Sequence, residues 1–195
     1  AKDGTGVKGV IRLQVITPIT GVKLASTEKV LAGRSKKLTV KFSPSKPSVK
    51  ALKWTSSDER IAVVSPNGTV TGREPGEAVI TCETTDGSGK SASCVLMVAR
   101  PVEAISIRPE NGHALVYKGE KVRLVADVHP EDAFDQSLKW SSSNKARAKV
   151  DQNGVVVGVR PGKVKITARA KDGSGKAQSI NLIVGAPAKD IRLNK

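Results

Sequence analysis

Few side chains in this 195-residue sequence are of types that do chemistry, and their spacing does not assemble them. His113 falls in an apparent loop and His129 directly precedes Pro130. Neither stands in a Cys, His or Asp constellation. Serine is abundant, but no Gly-x-Ser-x-Gly elbow presents one as a nucleophile. Asp86, Asp151 and Asp172 stand at glycine-bearing turns. Calcium collects about six to eight oxygens. Each of these loops offers one carboxylate, and turn hydrogen bonding accounts for it without metal. Zinc needs more than Cys82 and Cys94, which have no third cysteine and no nearby histidine. The expectation is a protein that is not an enzyme, with no catalytic residue, metal site or cofactor.

Cys82 and Cys94 flank the segment Asp86-Gly87-Ser88-Gly89-Lys90. A hairpin closed over residues 87–89 would set the two directly opposite on neighbouring strands, close enough for a disulfide. An oxidising exterior favours the bond. Reduced thiols acting as small core hydrophobes are the alternative.

Charge is the remaining lead. Lys and Arg number 33 against 18 Asp and Glu, a net charge of +15. Lys163, Lys165, Arg169 and Lys171 would line the wet face of one strand and its turn, a candidate anion-binding face. Lys145, Arg147 and Lys149 add charge just before it, and Lys36, Lys37, Lys41, Lys46, Lys50 and Lys53 cluster earlier. The alternative is a solvated surface that serves solubility. Nucleic-acid readers add stacking aromatics, and aromatics are 3% of the chain. An anionic glycan or cell-wall polymer fits better, and nucleic acid is not expected. No apolar run reaches the length of a membrane span. Ala1-Lys2-Asp3-Gly4 does not read as the start of a signal peptide.

The elements that must position these residues are repeated. Trp54 and Trp140 are 86 residues apart. Gly33 and Gly119, Gly68 and Gly154, Gly76 and Gly162 share that offset, and Asp86-Gly87-Ser88-Gly89-Lys90 recurs as Asp172-Gly173-Ser174-Gly175-Lys176. Self-similarity of this kind marks tandem units. Apolar residues alternate with polar ones in Leu38–Phe42, Val122–Val128 and Val164–Arg169, the pattern of strands with one buried face. Asn67-Gly68 and Asn153-Gly154 supply turns that tolerate positive φ. The sequence predicts an all-β chain and no long helix.

The segment Trp140-Ser141-Ser142-Ser143-Asn144 and its copy Trp54-Thr55-Ser56-Ser57-Asp58 carry a family resemblance. So do the downstream Asn-Gly-x-Val-x-Gly, the Pro-Gly-x-x-x-Ile-Thr run at 161–167 with its partner at 75–81, and the Asp-Gly-Ser-Gly-Lys hairpin. In order and twice over, they resemble the bacterial Ig-like domain, group 2. The resemblance implies tandem immunoglobulin-like β-sandwiches without catalytic residues, found in bacterial and phage surface proteins as stalks, adhesin segments or attachment modules. The chain parses as the terminal hairpin of a preceding repeat (1–17), repeat 1 (18–100), repeat 2 (101–186) and the first strand of a following repeat (187–195). Trp54 and Trp140 are expected as core anchors, as a strand tryptophan is in Ig sandwiches. Short junctions predict an elongated rod. Arg147 departs from the pattern, standing where repeat 1 has Ile61. The expected role is a structural or adhesive stalk in a secreted or cell-surface bacterial protein. The alternatives are a module docking an anionic polymer, and a subunit of a surface layer or virion. The terminal strands are expected to pair with neighbouring repeats or other chains.

Overall fold

The structure is a computed structural model that describes residue 4, residues 10–12 and residues 15–187. Repeat 1 holds β1 (Gly21–Lys23), β2 (Thr27–Leu31), β3 (Ser35–Lys37), β4 (Lys41–Ser43), β5 (Leu52–Ser56), β6 (Ala62–Val64), β7 (Thr69–Gly72), β8 (Gly76–Thr84) and β9 (Ser91–Ala99). Repeat 2 holds β10 (Ala104–Pro109), β11 (Leu115–Tyr117), β12 (Lys121–His129), β13 (Leu138–Ser142), β14 (Ala148–Val150), β15 (Val155–Gly158), β16 (Gly162–Ala170) and β17 (Ala177–Gly185). No helix occurs among the described residues. The chain divides into two compact units, with the main break inside β9.

Repeat 2 is a sandwich of two four-stranded sheets, ordered β10-β12-β15-β14 and β11-β17-β16-β13. Val122, Leu124 and Val156 from the first sheet share one core with Val116, Val164, Ile166, Leu182 and Val184 from the second. The alternation read in the sequence does this work. Along β16, Val164, Ile166, Ala168 and Ala170 are buried while Lys163, Lys165 and Arg169 are exposed. Each fully buried Ile, Leu or Val contributes about 1.5–3 kcal/mol through removal of apolar surface from water. The strands of repeat 2 pair antiparallel except where β11 runs parallel to β17, next to an isolated parallel bridge between Lys118 and Gly158.

Repeat 1 has the matching sheet β2-β9-β8-β5, but its other side is split into β1-β4 and β3-β7-β6. This corrects the continuous strand expected over 38–42: only Lys41–Ser43 is ladder there. Leu38 still turns inward, at 5% exposure, so the facing was legible and the pairing was not. The reason is chain length. In repeat 2, Ile107 and Arg108 extend β10 and pair with Ala126 and Val125. Fourteen residues separate Ile105 from Gly119, but eleven separate Val22 from Gly33. The shorter connection carries the chain from β1 directly into β2, leaving Thr39 and Val40 without a partner strand.

The hairpin expected over 1–17 falls largely outside the described residues. Within it, Val10, Ile11, Val15 and Ile16 are exposed and belong to no strand. The strand expected over 187–195 lies outside the described residues but for Pro187.

Candidate functional site

The carboxylates weighed as calcium ligands are engaged by backbone amides. Asp86 Oδ2 accepts the Ile19 N–H at 2.9 Å and Oδ1 accepts the Ser88 N–H at 3.0 Å. Hydrogen bonds from the Ser88 hydroxyl, then from the Ile19 and Ser88 amides, hold the Asp86 carboxyl down to about 2. Asp172 repeats the arrangement, accepting from Val102 N–H at 2.7 Å and Ser174 N–H at 2.9 Å. Each aspartate thus clamps the entry of its repeat to that repeat's last hairpin. Asp151 Oδ1 accepts the Asn153 and Val155 amides at 2.8 and 2.9 Å, closing the Asn-Gly turn. His113 and His129 are both exposed. Among the described residues no group of three or more His, Cys, Asp or Glu converges as metal ligands would.

Trp54 and Trp140 are half-buried, on β5 and β13. Trp140 packs against both parts of the repeat 2 core. Each indole lies over the glycine of an Asn-Gly turn. A Cβ on Gly68 would stand 2.6 Å from Trp54 Cζ2, and one on Gly154 would stand 3.0 Å from Trp140 Cζ2 and 2.7 Å from the Leu124 carbonyl. Those glycines are required twice, by φ near +80° and by the ring above them. Sequence reading saw the turn and the tryptophan but not their contact. The signal was present: fourteen residues separate tryptophan from glycine in both repeats.

The hairpin register differs from the one expected. Thr84 N–H donates to Lys90 O at 2.8 Å, and the Thr81 and Ser93 hydroxyls meet at 2.9 Å. Cys82 therefore faces Ala92, and Cys94 faces Ile80. The cysteines lie diagonally, two positions out of register, because the first strand ends at Thr84 and the loop opens two residues earlier, with Asp86 inside it accepting the Ser88 amide. Diagonal partners sit about 7–8 Å apart, beyond the usual disulfide span. Both are free thiols on the buried face, and burial raises both thiol pKa values.

Arg147 resolves its departure from the pattern by leaving the core. It is exposed, and its guanidinium donates to the Lys163 carbonyl at 2.9 Å, while Ala148 beside it is fully buried. Lys163, Lys165, Arg169 and Lys171 are all exposed as expected. What sequence reading missed is a neighbour and a contrast. Lys139 on β13 sits directly opposite Arg169. In repeat 1 the positions of Lys163, Lys165 and Arg169 are held by Glu77, Val79 and Glu83.

Two successive sandwiches bearing the same turns, tryptophans and aspartate clamps are what the comparisons also find. The sequence profile of the bacterial Ig-like domain (group 2) matches residues 18–95 and again 101–180. The chain belongs to this family. An uncharacterized protein of Clostridium acetobutylicum is 31% identical to these bacterial Ig-like repeats over 85% of the chain and 17% of its own length. An Ig-like virion protein of Serratia phage KSP90 is 29% identical over 73% of the chain and 56% of its own length. The chain therefore spans less than two thirds of either relative. Among solved structures, a C-terminal fragment of intimin in complex with its receptor's intimin-binding domain superposes with a TM-score of 0.51 at 20% identity, covering 88% of the chain and 64% of the fragment. That likeness concerns the fold. Tandem bacterial Ig-like domains of this kind constitute a structural or adhesive module. No helix among the described residues is long and apolar enough to cross a membrane.

Proposed function

We propose that the chain is a non-catalytic spacer within a larger secreted or surface-displayed protein, holding other domains away from the surface to which that protein is attached. The observation that carries this reading is where the polar residues go. Asp86, Asp151 and Asp172 hold turns and strand entries, and the tryptophans pack on turn glycines. The family membership supports an extracellular setting, and the phage relative supports a virion as the alternative location.

The test replaces residues 18–186 in the full-length protein by two unrelated Ig-like domains, beside a plain deletion. The readout is adhesion or display of the flanking domains. The deletion should impair it and the replacement should restore it. A replacement that fails as badly as the deletion would show that the surface of these repeats, not their span, is what matters.

A further inference from the structure

Sheet β11-β17-β16-β13 of repeat 2 has one face in the core and one in solvent, and the solvent face is basic. None of its four strands contains an Asp or Glu. Lys163, Lys165 and Arg169 project outward from β16, Lys171 follows in the turn, and Lys139 stands beside Arg169 on the next strand. Among the described residues, the ion pairs Lys36–Glu28, Arg60–Asp58, Arg100–Asp132 and Arg108–Asp127 involve none of these five. Same-face neighbours along a strand are about 6.8 Å apart and adjacent strands about 4.8 Å. The five charges therefore form a row some 25 Å long, with one charge doubled across it.

Two observations argue that the fold does not require this row. Like charges directly opposite each other across a ladder destabilise it, yet Lys139 faces Arg169. In repeat 1 the corresponding pair is Lys53 facing Glu83, a matched one. The same framework also folds with Glu77, Val79 and Glu83 on that face. The row is a property of repeat 2 alone, in which the Arg169 guanidinium also donates to the Gly175 carbonyl of its own hairpin at 3.1 Å.

We propose that this face of repeat 2 is a binding site for an anionic glycan, a linear polymer bearing carboxylates or sulfates, and that repeat 1 does not share it. An extended polyanion matches a linear row of cations on a flat sheet in both charge and shape. Single-stranded nucleic acid is a poorer match, since its binders add stacking aromatics to a basic groove and the outward residues of this sheet include one, Tyr117. A second copy of the chain is poorer too: the equivalent strand of repeat 1 offers two carboxylates, Glu77 and Glu83, with Lys53 opposite the second, against five cations in the row. The inference goes beyond the spacer reading and does not depend on it.

The experiment measures binding of the whole chain to dextran sulfate, polygalacturonate, neutral dextran and a single-stranded oligonucleotide across a salt series. Lys163→Glu with Arg169→Glu transplants the repeat 1 residues into repeat 2, so the variant is expected to fold. Lys121→Glu with Arg123→Glu makes the same change in net charge on the solvent side of the opposite sheet, where both residues are exposed on β12. The expected result is binding to one or both acidic glycans that weakens with salt, is absent for neutral dextran, and falls roughly tenfold or more in the first variant only. The reciprocal Glu77→Lys with Glu83→Arg should strengthen it. Equal loss in both double variants would show that bulk charge, not this face, attracts the polymer. That outcome, no binding to either acidic glycan at low salt, tighter binding of the oligonucleotide, or self-association of the chain abolished by the first variant would each overturn the proposal.

Discussion

Replacing Gly68 by alanine tests the tryptophan–glycine contact. Gly68 has φ +80° and a Cβ there would meet Trp54 Cζ2 at 2.6 Å, whereas Gly87 has φ +81° and nothing within 4 Å. Both alanine variants bear the same left-handed backbone penalty, about 1–2 kcal/mol. Gly68→Ala must also displace the indole, an overpacking cost of about 1–3 kcal/mol. Gly154→Ala should be worse, because its Cβ would lie 2.7 Å from the Leu124 carbonyl, which is backbone and cannot swing aside. The assay for the repeat 1 variants is urea unfolding followed by Trp54 fluorescence in a Trp140→Phe background, so that one repeat reports. Gly68→Ala should lose about 1–3 kcal/mol more than Gly87→Ala, with a red shift as the ring gains water. Variants that agree to within about 0.5 kcal/mol, with no spectral change, would refute the contact.

Asp86, held down to about 2, stabilises repeat 1 above the unfolded carboxylate pKa and loses that contribution as pH falls from about 4 toward 2. Asp86→Asn should therefore cost stability at pH 6 and progressively less toward pH 2, measured by thermal unfolding across pH; a pH-independent difference would count against the clamp. Cys82 and Cys94 should both alkylate only after unfolding, and the intact mass should show two thiols; a mass short by two hydrogens would show the disulfide after all. Ile80→Ala and Ile166→Ala, both at 0% exposure, should each cost about 2–5 kcal/mol in their own repeat and little in the other, read by chemical denaturation.

Repeat length, strand facing and the exposed cations could all be read from the sequence, because period-two alternation and a fixed offset are local signals. Lys163, Lys165 and Arg169 were legible as outward residues since Val164, Ile166 and Ala168 between them are apolar. What remained hidden needed a partner distant in sequence. Lys139 becomes part of the basic face only through its register against Arg169. The glycines read as turn formers, but the ring above each is fourteen residues away. The cysteine register hinged on where the hairpin loop opens, and Asp86 decides that by accepting both the Ser88 amide and the Ile19 amide.

The Asp172–Val102 hydrogen bond bears on how the array can be cut apart. A fragment meant to carry the second sandwich alone must begin upstream of residue 102, or the carboxylate has no amide to receive and the last hairpin is left untied. The same holds for the first sandwich at Ile19. The natural unit of exchange, whether in a test tube or by recombination, is thus bounded by the reach of an aspartate as much as by the ends of the strands.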